Sequence, residues 1–500
     1  MLSILLIVPA LGAILAALWP SQTRFSSRDA TRTISLTVSL AVIGWTVLLL
    51  TQFDLSNPGM QFAENFTWID ALGLSYRLGV DGLSLPLVAL NSLLTWIAIY
   101  STDEQIERPR LYYSLILILN AAVSGVFLAQ DLLLFFIAYE LELIPLYLLI
   151  AIWGGQKRAY AATKFLIYTA LSGALILAAF LGLAWLGGSN SFIYNPALAH
   201  ALPVGQQLWL LGALLLGFGI KMPLFPFHTW LPDAHVEAST PISVLLAGVL
   251  LKLATYGILR FCVGLFPDAW QIAAPWLSVW AIVSVLYGAL MAIAQRDMKK
   301  MVAYSSVSHM GYILLAAAAN TPLSFSAAMI QMVSHGLISA TLFLLVGVVY
   351  QKTKTRDINV LEGLLNPERG MPVIGSLMVV GVMASAGIPG MVGFVAEFLI
   401  FRSSFPVFPV QTLLCMVGTG LTAVYYLLLI NKAFFGRLSA TVQNLEAVTW
   451  RERYPAMILT IAVVVFGLQP GWITRWSEPT IAATLHQPPA MVANILSNKQ

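Results

Sequence analysis

The sequence predicts an all-α polytopic membrane protein with about fourteen transmembrane helices, and three observations predict it. Of its 500 residues, 59% are hydrophobic and 10% charged, whereas a soluble domain carries about 25% charged residues. The apolar residues fall in runs near the roughly 20 residues that a helix needs to cross a bilayer. The basic residues alternate between consecutive loops. The spans lie at roughly 2–19, 33–52, 82–100, 111–129, 132–153, 160–186, 208–231, 241–264, 273–295, 301–319, 323–351, 372–402, 410–435 and 454–473, each end good to about ±2–4 residues.

Loops after odd-numbered spans hold Arg24, Arg28, Arg32, Arg108, Arg110, Lys157, Arg158, Arg296, Lys299, Lys300, Lys352, Lys354, Arg356, Arg369, Arg437, Arg451 and Arg453. Loops after even-numbered spans hold Arg77 and Arg402. Basic residues stay on the cytoplasmic side, so the odd loops are expected there and both termini opposite. One missed helix would scramble the pattern. The net charge of +4 is spread over these short loops and argues against nucleic acid as a partner. Cys262 and Cys415 both sit in apolar spans and no CxxC occurs, too few ligands for an iron–sulfur cluster, a c-type haem or a zinc knuckle.

The first run, MLSILLIVPALGAILAALW, lacks a basic leading region and reads as a retained helix rather than a cleaved signal. The loop from Phe53 to Val80 contains FTWIDALGLSYRLGV, whose alternation suggests a short hairpin. Asp81 then reads as the cap of span three. Spans one to three form an N-terminal unit, 1–110. A first unit of five helices covers 111–270 and a second covers 271–437, while a connecting segment, the last helix and a polar tail occupy 438–500.

The two five-helix units correspond in their third and fourth members. Span seven runs into Lys221 and then meets Pro223, Pro226 and Pro232. Span twelve is interrupted by Gly387, Pro389, Gly390 and Gly393, with Glu397 beyond. Span eight carries Lys252 and span thirteen Lys432. Proline and glycine break a helix, and in lipid a break is tolerated only against protein or water. Broken helices at matching places in two halves mark an internal repeat of the kind found in transporters. Five is an odd number, so the second unit is expected to be inverted.

Ionisable residues inside spans cost about 2.5–3.5 kcal/mol each on insertion scales and usually mark an ion or proton route. The candidates for proton translocation are Glu140, Lys221, Lys252, His309, His335 and Glu397, with Lys164, His228 and Lys432 as accessory candidates. Glu140 is the expected counter-charge of Lys221. Glu142 lies about 200° further round the helix, so the two cannot face one partner. The bland readings are a static ion pair for Glu140 and Lys221, snorkelling for Lys164 and Lys432, hydrogen-bonded core residues for His309 and His335, and capping of the proline-rich turn for His228 and Asp233. The adjoining helix breaks favour function at Lys221 and Glu397. No P-loop, nucleotide fingerprint or HExxH occurs, and the Ser–His pairs in VSHMG and VSHGL have no support as a triad.

The stretch KMPLFPFHTWLPDAHVEASTPISVLLAGVLLKLATYGILR, with RDMKKMVAYSSVSHMGYILL and GIPGMVGFVAEF, resembles the antiporter-like subunits of respiratory complex I and its relatives, from about span three to span thirteen. The resemblance implies fourteen core helices, two inverted five-helix repeats and broken helices seven and twelve. A glutamate at the position of Glu397 resembles the M-type, or subunit 4, member. ELELIPLYLL with ATKFLIYTA resembles the D subunit of the cyanobacterial and chloroplast NAD(P)H-quinone oxidoreductase. By that resemblance Glu140, Lys221, Lys252 and Glu397 fill the family's charged positions in helices five, seven, eight and twelve, and His309 and His335 its central histidines. It implies a proton-translocating, non-redox membrane-arm subunit in a thylakoid membrane, lodged in lipid among other antiporter-like subunits. The chain would bind no cofactor, because the quinone, the iron–sulfur clusters and the electron donor belong to partner subunits. A short, different N-terminus and HVEASTPIS depart from the respiratory type and suggest a form devoted to carbon dioxide uptake. The alternatives are a subunit of a multi-subunit sodium/proton antiporter, which the same fold serves, and a purely structural spacer, against which the mid-membrane lysines argue.

Overall fold

The computed structural model describes residues 1–20, 27–368, 370–437, 439 and 445–485. Arg24, Arg369 and the polar tail lie outside them, as does the side chain of Arg28. Helices α1 (Ile4–Leu18) and α2 (Ser27–Gln52) lead into an antiparallel hairpin, β1 (Gln61–Ile69) and β2 (Leu74–Val80), as the alternation in that loop implied. There follow α3 (Leu85–Tyr100), α4 (Pro109–Leu128), α5 (Leu132–Leu141), α6 (Leu143–Trp153), α7 (Arg158–Leu186), the short α8 (Pro196–His200) and α9 (Val204–Lys221). Beyond the first break come α10 (Trp230–Glu237), α11 (Thr240–Leu245), α12 (Leu251–Gly257), α13 (Pro267–Ile293), α14 (Met298–Ala319) and α15 (Pro322–Thr353). The chain continues through α16 (Pro372–Ser385), α17 (Val392–Ser404), α18 (Pro409–Leu429), α19 (Trp450–Leu468) and α20 (Gly471–Thr484).

Ten helical segments among the described residues are long and apolar enough to cross a membrane, or eleven if α19 and α20, bent by 65°, form one span. Three shorter apolar helices, α1, α3 and α16, stand beside them.

The helix starts follow local chemistry. Asp131 accepts the amides of Leu133 and Leu134 at 2.9 and 3.1 Å, Asp297 those of Lys299 and Lys300 at 2.8 and 3.2 Å, and Thr321 with Ser324 forms a capping box. Each satisfies amides that the first turn leaves without a partner. Asp81 takes the amides of Leu83 and Ser84 at 3.1 and 3.0 Å, the cap expected of it. It also pairs with Arg260, so one buried carboxylate ties span three to span eight.

The core is the segment Thr240–Val263, wholly buried, with α14 and α15, nearly so. These three carry Lys252, His309 and His335. The outer helices α13 and α18 bury less than half of their spanning windows. Three π-helical turns, Leu246–Leu250, Ile258–Val263 and Ile430–Phe434, interrupt the ladders. The first adjoins Lys252, the second contains Arg260 and the third Lys432. Such turns widen the backbone locally and recur at functional places.

Candidate functional site

Two helix breaks frame the site. At the first, α9 ends on Lys221 and Pro223 and Pro226 prevent its continuation; the Phe225–Pro226 bond is cis. The backbone groups set free find side chains: Ser284 accepts from the Phe225 amide at 3.2 Å, Trp280 donates to the Phe225 carbonyl at 2.5 Å, and Trp230 donates to the Ile220 carbonyl at 2.9 Å. That is the condition on which broken backbone survives in a bilayer. At the second break Gly387 and Gly390 take φ of 72° and 92°, open to glycine and strained for other residues. A Cβ on Gly387 would sit 3.2 Å from Oε2 of Glu397, so that carboxylate faces the turn.

Lys221 is 1% exposed and its partner is Glu142, not Glu140. This corrects the pairing read from the sequence. The two glutamates do face different neighbours. Glu142 turns to α9, while Glu140 points to α7, where a Cβ on Gly173 would overlap its carboxylate. The spacing separated them, but only the placement of α7 and α9 decided which one met the lysine. The ammonium also lies 3.5 Å from the centre of the Tyr139 ring, a favourable cation–π position. The Tyr139 hydroxyl meets Ser172 at 3.1 Å, and Ser172 donates to the Gly217 carbonyl at 2.7 Å.

The second group forms a line. Nζ of Lys252 donates to the Ala247 carbonyl at 2.5 Å and meets Nδ1 of His335 at 2.7 Å. The rings of His335 and His309 are 5.5 Å apart. Nε2 of His309 is 3.6 Å from Oε1 of Glu397, whose other oxygen accepts from Thr419 at 2.8 Å. Thr419 meets the Tyr312 hydroxyl at 3.1 Å. Span eight and α15 approach closely because Gly336 faces Gly248: a Cβ on Gly336 would be 2.8 Å from the Gly248 carbonyl oxygen. A cavity about the size of one water molecule, lined by His309, His335, Gln331 and Glu397 together with Ile338 and Leu342, lies between these groups. Nε2 of His335, Nδ1 of His309 and Oε1 of Gln331 lack hydrogen-bond partners among the described residues. No hydrogen bond or ion pair joins Lys221 to Lys252 directly.

The accessory candidates separate. Lys164 does not merely snorkel; it pairs with Asp233 at 2.7 Å and ties α7 to α10. His228 is buried between Phe225 and Tyr287, with neither ring nitrogen hydrogen-bonded among the described residues. Lys432 is exposed and donates to Asn359 at 2.9 Å; it takes no part in the buried line. Sequence reasoning set Glu142 aside as facing another way, counted Lys299 as a loop charge, and did not single out Thr419 or His235. His235 lies in α10, just beyond the proline-rich turn. Lys299, counted as a loop charge, is only 5% exposed in the first turn of α14 and donates to the Ala238 carbonyl at 2.5 Å.

The described residues hold no group of three or more His, Cys, Asp or Glu side chains arranged for a metal ion. The arrangement is a succession of buried acid and base groups, of which Lys252 and His335 are hydrogen-bonded and His309 approaches Glu397 at 3.6 Å, groups of the kind that can hold and release protons.

Residues 129–422 match the family model described as NADH:quinone oxidoreductase/Mrp antiporter, TM. The NAD(P)H-quinone oxidoreductase chain 4-2 of Synechocystis is 44% identical over 453 residues, covering 89% of this chain and 80% of its own. A chain in respiratory complex I from Thermus thermophilus superposes with a TM-score of 0.87 at 27% identity, over 97% of this chain and 99% of that one. A chain of the Mrp complex from Dietzia shares the fold, with a TM-score of 0.82 at 24% identity, over 97% of this chain and 52% of that one. With its broken helices, its buried charges and more than half its length matched, the chain belongs to the NADH:quinone oxidoreductase/Mrp antiporter transmembrane family.

Proposed function

We propose that this chain is a proton-translocating, antiporter-like subunit 4 in the membrane arm of an NAD(P)H- or ferredoxin-driven plastoquinone oxidoreductase. It does no redox chemistry itself. Quinone reduction in neighbouring subunits drives protons along Lys252, His335, His309 and Glu397. The observation that carries this reading is the succession of ionisable groups through the most buried helices, ending beside a broken helix. The names of the relatives support the choice of enzyme.

The finer architecture is part of the same proposal. Taking α5 with α6, α9 with α10, α11 with α12, and α16 with α17 as single spans, and setting the short α8 aside, gives fourteen, ending at α19, in two inverted five-helix repeats. The basic loops face the cytoplasm and both termini the thylakoid lumen. The form is one that serves carbon dioxide uptake.

The Lys221–Glu142 pair is the control element. At about 4 Å and an effective dielectric near 20, a pair is held by about 4 kcal/mol. A shift arriving from the neighbouring subunit must supply about that energy to part the two charges, and it leaves the Lys221 charge uncompensated to act on the line. Replacing Lys221 with alanine in the assembled complex is expected to lower the protons pumped per electron while electron transfer continues; an unchanged ratio overturns the assignment.

A second reading, a subunit of a sodium/proton antiporter without electron transfer, draws on the fold shared with the Mrp chain. Glu397 and the ELELIP phrase favour the first. Mass spectrometry after gentle solubilisation separates the two, because iron–sulfur subunits in the complex exclude the antiporter.

A further inference from the structure

A cleft of about 470 Å³ opens on the face that carries the basic loops, between the end of α6 and the α10–α11 junction on one side and the ends of α14 and α15 on the other. Lys299 lies in its wall. No carboxylate is paired with it among the described residues: Asp297 is engaged by Arg356 at 3.1 Å, and Glu237 accepts the Lys157 amide at 2.8 Å. Both carboxylates act on it only at a distance, and a buried lysine with no ion-pair partner in contact is costly as packing alone.

His235, at the end of α10, is fully buried with its ring stacked 4.5 Å from Phe343. Neither ring nitrogen has a hydrogen-bond partner among the described residues. Three residues after it, the Ala238 carbonyl takes Lys299, while the His235 carbonyl accepts from Ser243 at 3.2 Å, four residues before the Ala247 carbonyl that takes Lys252. The cleft, the lysine and the histidine thus stand between solvent on the basic face and the start of the buried line.

We propose that this cleft is the mouth through which protons enter, Lys299 and His235 passing them from cytoplasmic water to Lys252. The Lys221–Glu142 pair then acts beside the path as an electrostatic control and is not itself a conduit. Each hop moves one proton and no electron: Lys299 gives up a proton inward and is reprotonated from cleft water, and His235 accepts on one ring nitrogen and releases from the other. The proposal rests on the reading that the Lys252–Glu397 line moves protons.

The test uses sealed inside-out vesicles containing the assembled complex with Gln156→Cys, an exposed position in the cleft wall. Cys262 and Cys415 are fully buried, so the new thiol is the accessible one in this chain, and the parent complex reports labelling elsewhere. Treatment with a membrane-impermeant, cationic methanethiosulfonate should remove the same share of pumped protons per electron as Lys221→Ala, and dithiothreitol should restore it. Thr240→Cys, on the same wall of the cleft, serves if the first variant does not assemble. In parallel, Lys299→Arg keeps the charge but does not release its proton; it should lose the same share, whereas rescue by arginine would make Lys299 a packing residue and overturn its role. If Lys221→Ala lowers the ratio and the labelled cysteine does not, the mouth lies elsewhere and the broader reading stands. If Lys221→Ala leaves the ratio unchanged, the broader reading falls and this proposal with it.

Discussion

At the scale of single residues, the ion pair decides most. Removing one partner of a buried pair leaves an uncompensated charge and costs about 3–5 kcal/mol. Glu142→Gln should therefore reduce the thermal stability of the complex more than Glu140→Gln, because Glu142 is the carboxylate against Lys221. Exchanging both partners for apolar residues, Lys221→Met with Glu142→Leu, should recover most of the stability and none of the pumping. Melting curves beside proton-to-electron ratios separate the two effects; equal losses for the two single glutamine variants would return the pairing to an open question. Lys252 contrasts with Lys221: it leans on a backbone carbonyl and a histidine, with no carboxylate paired to it among the described residues.

At the scale of elements, the breaks and the close approaches position the chemistry. The contact between Lys252 and His335 depends on Gly336 lying against Gly248. Gly336→Leu should push α15 away from span eight, at a cost of about 1–3 kcal/mol for overpacking, and lower the pumping ratio in complexes that still assemble. A ratio equal to the parent's would show that the line does not need this approach. The first break is held by Trp280 and Ser284 from α13. Trp280→Phe leaves the Phe225 carbonyl without its donor, and a buried group so stranded costs about 1–3 kcal/mol. The expected result is a complex of lower melting temperature whose electron transfer survives below that point.

For the molecule as a whole, the basic loops predict the orientation. Gln105 and Ser56 are both exposed, in the loops after spans three and two. Gln105→Cys should react with an impermeant thiol reagent from the cytoplasmic side and Ser56→Cys from the lumenal side. The reverse pattern would invert the topology and place the proposed proton mouth on the wrong face.

The sequence by itself determined the membrane class, the hairpin before span three, the cap at Asp81 and the places where spans seven and twelve break, because each follows from local rules: apolar length, alternation, and the backbone limits of proline and glycine. It also marked the ionisable residues of the buried line, since a charge in an apolar run is visible without a fold. Tertiary structure decided the partners. Glu140 and Glu142 are two residues apart and chemically alike, and only the positions of α7 and α9 assign Glu142 to Lys221 and Glu140 to the space over Gly173. Lys299 looked like one more loop charge until the packing of α14 against the α10–α11 junction buried it. Lys432 matched Lys252 in its place within the repeat expected from the sequence, yet one is exposed and the other buried, because burial is set by neighbouring helices and not by a residue's place along its own.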